Sequence, residues 1–219
     1  MVMPAEDEEA YFEHGEDPAQ AMHTDQKEKL LQCKLYKILL EKYAGLVNEK
    51  ERRTIGQIKM LVNSEDLTIQ SILTDLKPPE YLFPKDYAGT AEKVLQFVQK
   101  EINYVEPGIN LNYWLNPKEI FASKVGDDED LAVFLCSLLL GLGDEKASVI
   151  IAELDSLRTH AFVATESVNQ FTILDPSQTH PFTAFSGTKE EALQKYSFKG
   201  AKIKRFLYKF NNANYEQFM

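Results

Sequence analysis

The stretch Leu131–Leu142 is apolar at almost every position and follows directly on Gly126-Asp127-Asp128-Glu129-Asp130. A glycine break, a carboxylate able to cap, and an apolar run predict a helix over 128–140. Its apolar residues Leu131, Ala132, Val133, Phe134, Leu135, Cys136, Leu138, Leu139 and Leu140 leave no polar face. Such a helix has to lie in the middle of a domain with other elements packed around it. The run is too short to span a bilayer. Gly141 or Gly143 ends it.

The elements around this helix follow from periodicity. Residues 1–23 are acidic, lack apolar periodicity and read as a disordered tail, or else as an acidic docking arm. Thr24 can cap a helix running to about Asn48, with Leu31, Leu35, Ile38, Leu39, Leu46 and Val47 roughly on one face. Thr54 opens a second helix. Ser64 caps a third, which Pro78-Pro79 ends. These three form an expected N-terminal helical unit over 24–77. Thr90 starts a fourth helix carrying Val94, Leu95, Val98 and Ile102. Asn116-Pro117 is an N-cap followed by proline, which predicts a short helix over 117–123. Beyond the central helix the period falls to two. Strands are expected at 147–154, 160–165 and 171–174, then a helix at 188–196 and a last strand at 201–210. The turn joining the second and third strands falls near Ser167-Val168-Asn169. Lys199, Lys202, Lys204, Arg205 and Lys209 read as the solvated side of an edge strand, or as a receiver for the acidic tail.

Charge excludes some functions. The 219 residues carry a net charge of −10, with a pI near 5.0. A nucleic-acid groove needs a basic footprint, and anionic lipid repels such a surface. Neither nucleic acid nor membrane is an expected partner. The two cysteines, Cys33 and Cys136, do not make a disulfide scaffold at this size, and a reducing, cytoplasmic setting fits them better. Both read as core residues. No signal peptide is expected at the N-terminus.

Four motifs stand in order: Tyr113-Trp114-Leu115-Asn116-Pro117-Lys118-Glu119, then Gly126-Asp127-Asp128-Glu129-Asp130, then His160-Ala161-Phe162-Val163, then Leu174-Asp175-Pro176-Ser177. The set resembles the transglutaminase-like superfamily of the papain-like fold, most closely its microbial members of cysteine-peptidase type. That family has a tryptophan-proline lead-in, a Gly-Asp-Cys-x-Asp helix start, a His-Ala strand and a strand-ending Asp-Pro. The resemblance covers about two fifths of the chain. It implies an α+β fold, a central buried helix on a small antiparallel sheet, as a domain over 84–211. It puts Asp128 in the nucleophile position, His160 in the base position and Asp175 in the orienting position, with Trp114, Asp127, Glu129 and Asp130 walling the cleft.

A thiol at a helix N-terminus is activated by the dipole, and a histidine takes its proton. Asp128 instead would be a stabilised anion and a poor nucleophile toward an amide. Beside His160 it would form an ion pair and raise the histidine pKa, which removes the base near neutral pH. Cys136 lies about 12 Å along the helix axis from residue 128, at 1.5 Å per residue, and cannot substitute. Consecutive acids on a helix point in different directions and lack the spacing of a calcium loop. No metal and no cofactor are expected; a cation at this run would need His160 as a further ligand.

Outside the family frame, His160 reads as a hydrogen-bonded core residue and Asp175 as a strand-ending turn. Inside it, two functions compete. One is a catalytically inactive domain that binds a protein or peptide in the old substrate cleft. The other is an amide or peptide-bond hydrolase in which Asp128 and His160 activate water. Oligomeric state is open.

Overall fold

The computed structural model describes residues 18–109, 111, 113–167 and 170–218, with side chains from residue 26 onward except residue 28. The chain divides into two units, residues 1–46 and 47–219. The first is the larger part of helix α1 (Pro18–Lys50). The second holds everything else.

The second unit starts with short, well-capped helices. α2 (Ile55–Leu61) is closed by a capping box in which Thr54 and Gln57 satisfy each other's backbone N–H. α3 (Leu67–Leu76) is capped by Asp66, whose carboxylate accepts from the Thr68 N–H at 2.8 Å. α4 (Tyr87–Glu101) leads into the two-residue strand β1 (Asn103–Tyr104). α5 (Pro117–Ser123) has Pro117 in its first turn and an Asn116–Glu119 capping box. The two-residue strand β2 (Val125–Gly126) pairs with β1 in parallel. The central helix α6 (Asp128–Gly141) follows at once.

The rest is mostly sheet: β3 (Ser148–Leu154), β4 (Thr159–Ser167), β5 (Gln170–Leu174), β6 (Phe185–Gly187), helix α7 (Lys189–Lys195), β7 (Ile203–Phe210) and β8 (Tyr215–Gln217). The six strands stand in the order β6-β5-β4-β3-β7-β8, every neighbouring pair antiparallel.

Alternate residues of β3 and β4 face opposite sides. Val149, Ile151, Ala161 and Val163 join the core around α6, together with Leu131, Phe134, Leu135 and Leu138. Ile150, Ala152, Phe162 and Ala164 join a second cluster with Phe171, Ala192, Tyr196 and Phe198. Both sheet faces are therefore covered, by α3 to α6 on one side and α7 on the other. This is why the strands read as apolar runs as much as alternations.

The fold is α+β with a central buried helix on an antiparallel sheet, as the sequence indicates. The helix over 117–123 falls where Asn116-Pro117 predicts it. Several boundaries differ. α1 begins at Pro18, so the last residues of the expected 1–23 tail are helical; residues 1–17 lie outside the described residues, as does the turn at 168 and 169. α3 is capped by Asp66 instead of Ser64, because a carboxylate adjoining the helix is the stronger acceptor. α4 begins a turn before Thr90, whose Oγ1 donates to the Asp86 carbonyl at 2.8 Å. The expected helical unit over 24–77 does not hold as one body. Leu61, Val62, Ile69, Ile72 and Leu73 are buried in the same core as α6, and the division falls at 46/47.

The basic strand is not an edge. β7 lies between β3 and β8, with Lys204 and Arg205 paired to Glu153 on one side and Lys209 to Glu216 on the other. These pairs engage three of the five charges read as a receiver for the acidic tail. Cys136 is fully buried as expected, whereas Cys33 is exposed on α1.

Since α6 is packed between the sheet and helices α3, α4 and α5, truncation there has to be costly. Phe134 is fully buried. Phe134→Ala is expected to lower folding stability by about 3–5 kcal/mol through lost burial and a cavity, measured by urea denaturation.

Candidate functional site

The start of α6 is built by three interlocking local rules. Gly126 precedes it because a Cβ there would stand 2.8 Å from Leu131 Cδ1 and 3.0 Å from Asp130 Cβ. Asp127 is the N-cap, accepting from the Asp130 N–H at 3.0 Å, while Asp130 accepts from the Asp127 N–H at 3.3 Å. Asp130 also accepts from the Leu115 N–H at 2.7 Å, which ties the Trp114 lead-in to the helix start. The position left pointing at the sheet is Asp128.

Asp128 Oδ2 accepts from the Ala161 N–H at 2.8 Å and from His160 Nδ1 at 2.9 Å. Ala161 is free to donate there because β5 stops at Leu174, opposite Val163, and leaves that edge of β4 uncovered. On its other side His160 Nε2 meets Asp175 Oδ2 at 3.0 Å. Phe198 stacks on the imidazole, ring centroids 3.7 Å apart and planes at 15°. The histidine is 2% exposed.

Asp175 ends β5 and is fully buried. Its Oδ2 also accepts from the Tyr196 hydroxyl and from Gln178 Nε2, each at 2.8 Å. Its Oδ1 accepts from the Ser177 N–H and hydroxyl, at 2.9 and 2.8 Å. Its backbone is held by His180. Nδ1 of that ring donates to the Pro181 carbonyl at 2.9 Å, which leaves Nε2 to accept the Asp175 N–H at 3.0 Å.

Electrostatics follow from this packing. Burial works against a charge on His160, but the carboxylates of Asp128 and Asp175 outweigh it and raise the pKa to about 9. Burial likewise opposes ionisation of Asp175, yet the hydrogen bond and charge of His160, with Tyr196 and Ser177, hold its pKa below the usual range. The remaining acids of the helix start have no such cation. Burial, then the neighbouring acids, push Glu129 up to about 8. Burial and Asp127 push Asp130 up to about 7. Asp127 is raised too, chiefly by burial.

Asp128 and His160 open onto a groove of about 910 Å³, walled by Tyr104, Asp127, Glu129, Phe198 and Tyr208. Across its rim Glu106 pairs with both Arg158 and Lys199. The structure thus brings Asp128, His160 and Asp175 together, with Asp127 and Glu129 in the groove wall. Trp114 and Asp130 do not line it. Trp114 packs in the core 5.7 Å from Phe210, and Asp130 is spent on backbone N–H groups.

Neither thiol is bonded to His160, and burial pushes the Cys136 thiol up. Among the described residues no group of three or more His, Cys, Asp or Glu is arranged to hold a metal ion. The sequence reading passed over Phe198, Tyr196, Gln178 and His180. They reach the site from loops and from the end of α7, and no spacing marks them.

Residues 112–200 match the family model of the CEP76 peptidase-like domain. Two solved structures of Legionella pneumophila LapG share the fold. The EGTA-treated form is 18% identical over 82% of this chain and 86% of its own, with a TM-score of 0.50. The calcium-bound form is 19% identical over 75% of this chain and 88% of its own, with a TM-score of 0.51. No curated protein matches in sequence. The chain shares the fold of these structures, and its residues 112–200 are similar to a peptidase-like domain. No helix among the described residues is long and apolar enough to cross a membrane.

Stability should report the site's charges. His160 is raised above its ordinary 6.5, so its pairing contributes fully below that value and is lost as pH rises through about 9. Glu129 is raised above 4.5, so the cost of charging it is absent in acid and grows as pH rises through about 8. The first contribution is lost between about pH 6.5 and 9, and the second cost builds between about pH 4.5 and 8. Glu129→Gln is expected to match the native chain near about pH 4 and to exceed it by roughly 2 kcal/mol near about pH 9, by urea denaturation at each pH. An equal difference at both values would contradict the assignment.

Proposed function

We propose that this is a catalytically inactive member of its superfamily, which binds a protein or peptide in the groove and does not cleave it. In this reading Asp128 stands where an active relative carries its thiol. The observation that carries it is the state of His160. Both ring nitrogens face carboxylate oxygens, at 2.9 and 3.0 Å. With its pKa raised to about 9 the ring is an imidazolium at neutral pH. It has no lone pair with which to take a proton from water, and the anion beside it is a carboxylate, a weak nucleophile toward an amide, where an active frame has a thiolate.

The same geometry weighs against water activation by Asp128 and His160. A water-activating histidine needs one nitrogen free toward the water, and here neither is. Asp128 itself is a carboxylate whose Oδ2 is spent on the imidazolium and the Ala161 N–H. An acyl transfer to it would give a labile mixed anhydride. What remains is a groove open to solvent, with apolar, aromatic and charged walls, suited to holding an extended chain.

Removing the carboxylate should return the base. In Asp128→Cys the imidazolium loses one of its two anions, its pKa falls, and a thiol stands at the helix N-terminus beside Nδ1. With a library of fluorogenic peptide amides, the native chain is expected to give no turnover. Asp128→Cys is expected to gain turnover that Asp128→Cys/His160→Ala lacks. Turnover by the native chain would overturn the inactive reading. Circular dichroism of each variant establishes that it is folded.

A further inference from the structure

The two walls of the groove meet at the end where His160 lies. One wall comes from the helical side. Tyr104 lies in β1, which pairs with β2 just ahead of α6, and Glu106 follows it. The other wall comes from the sheet. Arg158 borders the turn between β3 and β4, and Phe198 and Lys199 sit between α7 and β7. All of them line the groove with Asp128 and His160.

Ionic and aromatic contacts cross from wall to wall. Lys199 Nζ lies 2.5 Å from Glu106 Oε2, and Arg158 pairs with the other oxygen of the same carboxylate. Beneath these pairs the rings of Tyr104 and Phe198 meet edge to face, with centroids 6.1 Å apart. Lys199 Nζ stands 5.6 and 5.4 Å from the two ring centres. Phe198 is also the ring stacked on His160. The turn that carries Phe198 and Lys199 is short. Phe198 and Ala201 exchange both N–H···O bonds, at 3.0 and 2.9 Å, around Lys199 and Gly200, whose φ values are +48° and +85°. Two positive φ values in succession are what a tight hairpin turn demands. Glycine would take the first of them at lower cost than lysine, and here the lysine side chain is what reaches Glu106.

We propose that Glu106, Arg158 and Lys199 form a clasp, which holds the groove closed over His160 and has to open before a chain can lie against Asp128. The floor is nearly sealed: the side chains of His160 and Asp128 are 2 and 16% exposed. An extended peptide carries side chains on both of its sides and reaches such a floor only with the walls apart. The fastening suits opening. Its three charged side chains stand at the surface, and exposed ion pairs are weak and screened by salt. Deeper down the same walls are joined by Asp128 to His160 and to the Ala161 N–H, so the rim can part while the triad stays together. The clasp rests on the groove as the binding place, and is the same whether the occupant is held or cleaved.

The test measures how readily a thiol on the groove floor is reached. Two reporters are made in a Cys33→Ser background, because Cys33 is exposed and Cys136 buried. One is Asp128→Cys. The other is Glu129→Cys, which leaves both ion pairs of His160 in place. Each is treated with N-ethylmaleimide and with a maleimide on a branched polyethylene glycol, both uncharged. The ratio of the two rates reports access, since a change in thiol reactivity cancels in it. Glu106→Gln is expected to speed the bulky reagent relative to the small one by about three-fold or more. Arg158→Gln combined with Lys199→Gln, which removes the same pairs from the other wall, is expected to do likewise. About 1 M salt is expected to raise the ratio in the parent chain and to add nothing in Glu106→Gln. A ratio unmoved by Glu106→Gln overturns the proposal. So does a rise that the Arg158→Gln/Lys199→Gln chain does not share, or a salt effect equally large in Glu106→Gln. Circular dichroism establishes that each variant is folded. The assay needs no partner and no turnover, so the clasp and the inactive reading fail separately.

Discussion

One histidine held between two carboxylates organises this structure. Asp128, His160 and Asp175 come from a helix start, a strand and the end of the next strand; the Ala161 N–H also holds Asp128 and Ser177 also holds Asp175, while the imidazole is held by the two carboxylates and by Phe198 stacked on it. A buried charge is costly unless paired and hydrogen-bonded. Here the pairing is complete on both ring nitrogens, and the buried Asp175 accepts five hydrogen bonds. Breaking one partner would leave the others as uncompensated buried charges, which costs more than the pair contributes when intact. The head of α6, β4 and β5 are therefore locked to one another at this point.

The same helix start carries an electrostatic conflict. Asp127 and Asp130 cap α6, and the helix dipole favours anions there. Burial first, and then the crowding of four consecutive acids, exceed what the dipole and one histidine can offset, so Asp127, Glu129 and Asp130 are held at raised pKa values. Capping explains Asp127 and Asp130, and the ion pair explains Asp128. Glu129 is explained by neither. It faces the groove.

Local chemistry made much of this legible in the sequence. Asn116-Pro117, Thr54 and the Gly126-Asp127 start each name a helix boundary through one side chain and its neighbours. The continuous apolar character of 131–140 names its position. The triad's order along the chain was legible from residue types. What was not legible depends on distant partners. Whether Trp114 walls a cleft or fills a core is decided by Phe210, nearly a hundred residues away. Whether β7 is an edge is decided by β8, three residues long and too short for any period. His180 and Phe198 sit in irregular segments, where placement comes from the whole fold.

Under the proposed reading, an aspartate in place of a thiol is a small electrostatic change and a large chemical one. The active thiol of such a frame works as an anion at a helix N-terminus beside an imidazolium. A carboxylate is also an anion, fits the same place, and holds its charge without help from the histidine. The anion at the helix N-terminus beside the histidine is thereby kept when sulfur is exchanged for carboxylate. What is lost is the nucleophile, because a carboxylate attacks an amide poorly and its acyl product would be a labile mixed anhydride. A frame built to stabilise an ion pair can thus survive as a binding domain with the rest of its triad intact, and His160 and Asp175 need no catalytic role to be retained.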